Sequence, residues 1–170
     1  MIKELTLGFT LLATPVQKEQ VLRKISLIAP HVSSSTSLKV AQGLQECKGL
    51  NENLVLSIIR VESNFKIKAY NPRSADYGLM QVNNWHVKRK ALSKQKLLLD
   101  ASYNMKHGCD ILRYFVTRYS NMEEAIKRYN CGTKASCVEW DGPKKYLKKV
   151  LTFKKKLDKM DVQENIGRSK

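Results

Sequence analysis

Apolar residues recur every three or four positions along most of this chain, the spacing that places them on one face of an α-helix. The pattern predicts helices over residues 16–29, 38–48, 52–64, 100–119, 122–129 and 143–160. The alternation typical of half-buried strands is weak throughout, and residues 65–80 contain turn signals instead, such as Asn71-Pro72 and Gly78. The sequence therefore predicts a mainly α fold in which a turn-rich segment interrupts the helices.

Length and composition favour a single globular domain. The chain has 170 residues, of which 42% are hydrophobic and 27% charged, and it shows no internal repeat. We assign residues 35–160 to the domain and residues 161–170 to a polar tail that frays. The longest uncharged apolar stretch, residues 5–16, is well short of the ~20 residues that cross a bilayer, so no transmembrane span is predicted.

The N-terminal segment, residues 1–34, has two interpretations. Lys3 precedes a short apolar run that ends at Ala13, which resembles a weak signal peptide. Against export by this segment, Glu4 lies in the supposed basic region and Leu11 stands where a cleavage site needs a small residue. An amphipathic helix is the alternative, and the sequence does not distinguish the two.

The excess of basic residues predicts an anionic partner. Lys and Arg number 31 against 15 Asp and Glu, which gives a formal net charge of +16. Nucleic acid, an anionic membrane and the bacterial cell wall all qualify, and charge alone does not separate them. Ten of the basic residues lie within residues 143–170, where an apolar stripe at helical spacing indicates a docked helix with a solvated basic face.

The four cysteines favour disulfides over a metal site. No Cys-x-x-Cys pair is present and the histidines are scattered, so no structural zinc is expected. An even count permits two disulfides in three pairings. Cys131 with Cys137 would close a short loop, and Cys47 with Cys109 would then link two predicted helices. Four reduced thiols are the alternative.

One carboxylate lies in an unusual setting. Four positions spaced i, i+3, i+4 and i+7 share one face of the helix predicted over residues 52–64, namely Val55, Ile58, Ile59 and Glu62. Glu62 is therefore predicted at the edge of an apolar surface, where loss of hydration raises the pKa of a carboxyl group. A carboxylic acid that stays protonated near neutral pH can donate a proton to a leaving group. A glutamate that reaches solvent from the helix end is the alternative.

Motifs around and after this carboxylate resemble one family. The order is Glu62-Ser63, then Gly78-Leu79-Met80-Gln81, then Tyr129-Asn130 with Gly132. Over residues 35–152 the chain resembles the soluble lytic transglycosylases, whose domain is related to goose-type lysozyme. It is most similar in pattern to the small single-domain members found with secretion and conjugation machineries and in phages.

The resemblance implies a lysozyme-like fold and cleavage of peptidoglycan. The bond is the β-1,4 link between N-acetylmuramic acid and N-acetylglucosamine. Glu62, by motif match, would protonate the glycosidic oxygen and then, as a carboxylate, take the proton of the muramic acid 6-hydroxyl. That hydroxyl attacks C1 and forms a 1,6-anhydro end. The reaction needs no water, cofactor or metal.

The first two motifs supply further candidates. Ser63 is expected to fix the helix end. Gly78 suits a tight turn and a close approach of sugar, since it has no Cβ. Met80 is expected to pack either against the apolar face of a sugar or in the core. Gln81 is expected to hydrogen-bond substrate or to brace the backbone near Glu62.

The later motifs supply the other candidates. We expect the Tyr129 hydroxyl near the Glu62 carboxyl group, while Asn130 binds substrate or ends its helix. Tyr146 is expected to border the cleft or to belong to the core stripe. Arg128 stands where the family has alanine, so it is predicted to add positive charge beside the site.

Two other functions stay open at this point. A hydrolytic muramidase would need a second carboxylate, for which Asp76 is the nearest candidate in sequence. A basic nucleic-acid-binding protein is suggested by the net charge and by the residues Arg113, Tyr114, Arg118 and Tyr119, although no nucleic-acid motif accompanies them.

The resemblance to this family also implies partners and a place of action. The expected partners are peptidoglycan glycan strands and a secretion, conjugation or phage assembly, without specific nucleic acid. We expect a monomer that acts in the periplasm, outside the cell or on a phage.

Overall fold

A computed structural model describes residues 15–168, so the apolar run of the suggested signal peptide lies outside the described residues. Within them the helices are α1 Pro15–Ile28, α2 Ser34–Gly43, α3 Glu52–Glu62, α4 Asn84–Arg89, α5 Lys94–Leu99, α6 Ala101–Arg118, α7 Met122–Cys131 and α8 Asp141–Arg168. Two 3₁₀ turns, Leu44–Cys47 and Ala135–Glu139, complete the helical part. The predicted mainly α fold is confirmed.

Side-chain caps explain where several helices begin. The Asn51 side chain accepts a hydrogen bond from the backbone N–H of Leu54, which satisfies one of the free donors at the start of α3. Ser33 caps α2 in the same way through Thr36. Because of that cap α2 begins at Ser34, four residues before the predicted start.

A small sheet occupies the segment that the sequence marked as turn-rich. Its strands β1 Tyr70–Asn71, β2 Asp76–Tyr77 and β3 Val82–Asn83 are antiparallel, in the order β1-β2-β3. Tyr77 pairs with Tyr70 on one side and with Val82 on the other. Strands of two residues are too short to show alternation, which is why the sequence pattern does not reveal them.

Helix α3 is the central element of the core. All residues from Leu54 to Ile59 are buried, including Ser57, so the helix is enclosed on every side and not only along the predicted face. Residues of α1, α2, α6 and α8 pack around it in one cluster. A second cluster joins the sheet, α4, α5, α6 and α7. Glu62, at the C-terminal end of α3, therefore lies where the enclosed helix meets the surface.

Helix α8 continues to Arg168, past Asp161, where the sequence predicted a frayed tail. A polar cluster holds it there against α1 and α3. The Lys24 Nζ lies 2.8 Å from Glu52 Oε1 and 2.9 Å from Asp161 Oδ1. The Asn53 Nδ2 donates to Asp161 Oδ2 at 2.7 Å and to Asp158 Oδ1 at 2.9 Å. Composition alone could not indicate partners so distant in sequence.

Two disulfides tie loops to helices. Cys47–Cys109 joins the first 3₁₀ turn to α6, across 62 residues of sequence. Cys131–Cys137 closes the loop that follows α7. Across the described part of the chain, no helix combines the length and the apolarity needed to cross a membrane.

The polar cluster predicts the effect of Asp161→Ala. The Lys24 side chain is only 9% exposed, so removing one of its two carboxylate partners leaves a charge that is poorly paired. We expect a loss of about 1–3 kcal/mol in the free energy of unfolding, measured by urea denaturation. Glu19→Ala, which breaks an exposed pair with Arg23, should have a much smaller effect. If the two variants lost the same amount of stability, that result would contradict the view that the polar cluster is a buried, stabilising contact.

Candidate active site

A cleft of about 1000 Å³ opens at the C-terminal end of α3. The sheet, α4, α6 and the end of α7 form its other walls. Its lining residues are Glu62, Ser74, Asp76, Gln81, Asn83, Trp85, His86, Arg89, Lys90, Asp110, Ile111, Tyr114, Phe115, Tyr129, Asn130, Cys131, Gly132 and Thr133. The cleft brings the residues of all three motifs into one region of the molecule.

Local backbone geometry fixes Glu62 at the point where the core meets the cleft. The Ser63 backbone N–H and its hydroxyl both donate to the carbonyl of Ile59, at 3.1 and 3.2 Å, and so end the helix. Asn64 and Phe65 then take positive φ values of 53° and 62°, which turn the chain sharply. The Phe65 side chain is buried, which anchors this turn. Ser63 thus lies where its expected role as a helix terminus requires.

The surroundings of Glu62 make its carboxyl group a weak acid. Burial raises the pKa of Glu62 from its ordinary value of 4.5 to about 7. The hydroxyl of Tyr146, which donates to Glu62 Oε1 at 2.7 Å, opposes this rise because it stabilises the charged form. The negative charge of Asp76 adds to the rise. Near neutral pH the group is therefore populated in both the protonated and the charged form.

The tyrosine that bonds to Glu62 is not the one that the sequence favoured. The Tyr129 hydroxyl does lie near that carboxyl group, since burial and then the charge of Glu62 raise its pKa. Tyr146, and not Tyr129, binds the Glu62 carboxyl group. The Tyr129 hydroxyl donates instead to the Met80 carbonyl at 2.7 Å, which holds α7 against the turn that follows β2. Burial raises the pKa of both phenols well above 10, so both stay protonated donors. Sequence reasoning favoured Tyr129, because nothing local distinguishes two residues that each have a suitable hydroxyl.

Gly78 is required by a close approach of protein and not of sugar. Its φ is +76°, and a Cβ at this position would lie 2.2 Å from both Asn104 Nδ2 and the Leu97 carbonyl oxygen. Asn104 is buried and accepts from the Met80 N–H at 2.9 Å while its Nδ2 donates to the carbonyls of Tyr77 and Leu97. The tight turn expected at Gly78 is observed, but the predicted approach of sugar to it is wrong. Asn104 holds this turn in place, a role that no sequence prediction covered.

Met80 and Gln81 also act on the protein around them. Met80 is fully buried against Gly108, where a Cβ would lie 2.5 Å from the Met80 Cβ, so its interpretation as a sugar contact is wrong. Gln81 lines the cleft, and its Nε2 donates to the Gly78 carbonyl at 2.8 Å. Of its two expected roles, the structure shows the bracing of the backbone.

Arg128 does not add charge to the cleft. This residue of α7 is buried, and its Nη2 lies 3.1 Å from Oε1 of Glu124 on the same helix. Its Nη1 donates to the Lys134 carbonyl at 2.7 Å and so supports the loop that the Cys131–Cys137 disulfide closes. The prediction of a cation beside Glu62 from this residue is wrong. Asn130 is exposed and lines the cleft.

Sequence reasoning missed the wall that α4 supplies. Trp85, His86 and Arg89 line the cleft, although no helix was predicted between residues 64 and 100. The only available signal was a tryptophan shortly after Gln81. Asp76 lies in the same cleft as Glu62, and its two oxygens accept from Asn83 Nδ2 and from the Ser74 hydroxyl. Within residues 15–168, no group of three His, Cys, Asp or Glu side chains is arranged to hold a metal ion.

Residues 39–150 match the transglycosylase SLT domain. The chain belongs to the soluble lytic transglycosylase family. This membership confirms the resemblance drawn from the three motifs and, with the helical architecture, the lysozyme-like fold class.

Relatives of this chain include proteins of enteric bacteria. Invasion protein IagB of Salmonella typhi is 33% identical over 121 residues, which cover 68% of this chain and 74% of IagB. A peptidoglycan-binding-like protein of Escherichia coli O157:H7 is 30% identical over 135 residues, covering 70% of this chain and 78% of that protein. Protein IpgF of Shigella flexneri is 32% identical over 87 residues, covering 48% and 57% of the two chains.

The raised pKa of Glu62 predicts a pH-dependent gain in stability on Glu62→Gln. The folded state binds the proton of Glu62 more tightly than the unfolded state does. The resulting gain in folding stability is fully present below pH 4.5 and is lost as the pH rises through about 7. Above pH 7 the wild type keeps a charge in a poorly hydrated site, whereas the glutamine stays neutral. We expect Glu62→Gln to be more stable than the wild type by up to about 3 kcal/mol at pH 8 and equal to it near pH 4.

Urea denaturation at the two pH values checks this. Glu139→Gln, which changes an exposed side chain of the same charge, is the control. A difference between Glu62→Gln and the wild type that is the same at both pH values would contradict a raised pKa.

Proposed function

We propose that this protein cleaves the β-1,4 bond between N-acetylmuramic acid and N-acetylglucosamine in peptidoglycan and leaves a 1,6-anhydromuramic acid end. The observation that carries the proposal is the Glu62 carboxyl group. It lines a cleft of about 1000 Å³, its pKa is about 7, and a buried tyrosine fixes its orientation. Such a group can act as acid and as base at the same pH.

In the first step the protonated Glu62 donates its proton to the glycosidic oxygen, and the bond from that oxygen to C1 of the muramic acid breaks. Burial keeps the acid form populated near neutral pH. The Tyr146 hydroxyl donates to Oε1 and stabilises the carboxylate that remains.

In the second step the Glu62 carboxylate takes the proton of the muramic acid 6-hydroxyl. The oxygen of that hydroxyl forms the new bond to C1, which closes the 1,6-anhydro ring. Glu62 is protonated again, and no water is consumed. One carboxylate therefore suffices, where most glycoside hydrolases need two.

A hydrolytic muramidase is the second candidate, because Asp76 lines the same cleft and its charge acts on Glu62. Asp76 would activate a water molecule in place of the 6-hydroxyl. Hydrogen bonds from Asn83 and Ser74 already engage both oxygens of Asp76, which favours a role in holding the hairpin.

The nucleic-acid alternative is weakened, because two of the four residues that suggested it are engaged within the fold. Arg113 pairs with Asp110 at 2.8 Å and donates to the carbonyls of Glu46 and Lys48. Tyr119 stacks on Phe115, with 6.3 Å between the ring centroids. These side chains are used within the fold.

We extend the proposal to place and partners. Similarity to proteins named for invasion and for peptidoglycan binding supports action at the cell wall. We propose that the protein acts there in the periplasm, outside the cell or on a phage. We propose glycan strands as substrate, a monomeric enzyme, and work alongside a secretion, conjugation or phage assembly.

Mass spectrometry of digested peptidoglycan tests the reaction. We expect the wild type to release anhydro-muropeptides, each lighter by one water than its hydrolysed counterpart. Glu62→Gln should lower the rate by at least about a hundredfold, since general acid–base catalysis contributes that much. Glu46→Gln, an exposed carboxylate outside the cleft, should keep the wild-type rate. Hydrolysed ends in place of anhydro ends would favour the muramidase.

Tyr146→Phe tests the control of the Glu62 pKa. Without the hydroxyl the carboxylate loses a stabilising hydrogen bond, so the pKa of Glu62 rises further. We expect the alkaline limb of the pH–rate profile to move up by about 0.5–1 pH unit, the equivalent of one hydrogen bond. Tyr129→Phe, which removes a hydroxyl bonded to Met80, should leave that limb in place. The reverse pattern would contradict the assignment of the two tyrosines.

A further inference from the structure

One face of α8 carries exposed lysines in line with exposed apolar side chains. At about 100° per residue around the helix axis, five exposed side chains fall within one narrow arc. We call this row the α8 strip and define it as Lys148, Lys155, Lys159, Val162 and Ile166. It extends along about 27 Å of the helix, at 1.5 Å per residue. The strip is therefore one continuous surface that combines positive charge with apolar groups.

The acidic residues in the second half of α8 do not neutralise the strip, because they face inward. Asp158 and Asp161 both accept a hydrogen bond from Asn53 of α3, at 2.9 and 2.7 Å. Glu164 accepts from Gln20 of α1 at 3.0 Å. Among the ion pairs formed within residues 15–166, none involves a lysine of the strip.

Further lysines lie beside the strip and add to its charge. Lys145, Lys149 and Lys156 are exposed on the adjoining side of α8, and they too form no ion pair in the part of the chain that the structure describes. One helix thus concentrates these three charges and the three of the strip, in a chain whose net charge is +16. Such a density of like charge favours contact with an anionic surface, where each basic residue strengthens binding about fivefold.

The apolar members of the strip distinguish between the possible anionic partners. Val162 is 57% exposed and Ile166 is 59% exposed, and both lie in line with the lysines. A nucleic acid or an acidic polysaccharide offers charge but no apolar surroundings for these two side chains. An anionic bilayer offers both, because its phosphates meet the lysines and the adjoining acyl chains accept the apolar groups. The composition of the strip therefore matches a lipid surface.

The position of the strip leaves the cleft uncovered. Its residues follow Tyr146 by 2, 9, 13, 16 and 20 positions, which places them on the opposite side of the helix. Tyr146 itself faces inward, where its hydroxyl donates to Glu62. Among the described residues, none of α8 lines the cleft. A bilayer that lies against the strip therefore does not block access to Glu62.

We propose that the α8 strip binds the surface of an anionic phospholipid bilayer, with its lysines on the lipid phosphates and its two apolar side chains in the head-group layer. The contact is peripheral, and it holds the protein at a membrane while the cleft stays open. The inference goes beyond the proposed reaction and does not depend on it, since a lipid vesicle contains no glycan.

Co-sedimentation with lipid vesicles tests the proposal. Vesicles of phosphatidylglycerol and phosphatidylcholine in equal amounts are compared with vesicles of phosphatidylcholine alone. The test variant is Lys148→Gln/Lys155→Gln/Lys159→Gln. The matched control removes the same charge from exposed positions outside α8, by Lys39→Gln/Lys48→Gln/Lys106→Gln. All three proteins keep the apolar run within residues 1–14, so any effect of that segment on binding is common to them.

We expect the wild type to bind the anionic vesicles at least about a hundredfold more tightly than the neutral ones at low salt. The strip variant should lose about a hundredfold in affinity, since three lysines each contribute about fivefold. The control should lose less than about fivefold, because its lysines lie away from the bilayer and are screened. Equal losses in the two variants, or equal binding of the wild type to both kinds of vesicle, would overturn the proposal.

A second variant separates lipid from other polyanions. Val162→Ser/Ile166→Ser keeps every lysine but removes the apolar groups that enter the head-group layer. We expect it to bind the anionic vesicles about tenfold more weakly than the wild type and to bind a DNA duplex equally well. Far-UV circular dichroism checks that each variant retains its helices. Unchanged vesicle binding by this double variant would overturn the assignment to lipid and favour a polyanion such as nucleic acid.

Discussion

The carboxyl group of Glu62 lies at the end of a helix in which every residue from Asn53 to Ile59 is buried. That position deprives it of much of its hydration, and the loss of hydration is the largest cause of its raised pKa. The other parts of the site are arranged around this poorly hydrated carboxyl group. The helix must end at Ser63, the chain must turn away at once, and a donor must meet the charged form when it appears.

Support for this carboxyl group comes from distant parts of the chain. Tyr146 on α8 donates to it, and α8 is held in place by the polar cluster at the far end of α3. Tyr129 on α7 and Asn104 on α6 both bind the backbone of Met80, so two helices fix the turn that carries Gln81. The site is built on helices locked by packing, which keeps catalytic groups in place better than loops do.

Much of this could be predicted from the sequence, because its signals are local. The start of α3 follows from the Asn51 cap, and the position of Glu62 at an apolar edge follows from helical spacing. The motifs identified the family because they follow one another along the chain in the order that the family has. Arg128 shows the limit of such reading, since its charge was visible but its burial against Glu124 was not.

The remaining features depend on contacts across long stretches of sequence. The hydrogen bond from Tyr146 to Glu62 joins residues 84 positions apart, and two tyrosines were equally suited to make it. The α4 wall is built by a helix of six residues, which is too short to give a periodic signal. The Asp161 contacts extend α8 beyond the point where composition favours fraying. Such features arise from tertiary packing and have no local pattern.

The most direct measurement is an NMR titration of the side-chain carboxyl carbon of Glu62, assigned by comparison with Glu62→Gln. The enclosed end of α3 predicts a midpoint near pH 7. A midpoint near 4.5, the ordinary value for glutamate, would show that the carboxyl group is well hydrated and would contradict its proposed role as an acid near neutral pH.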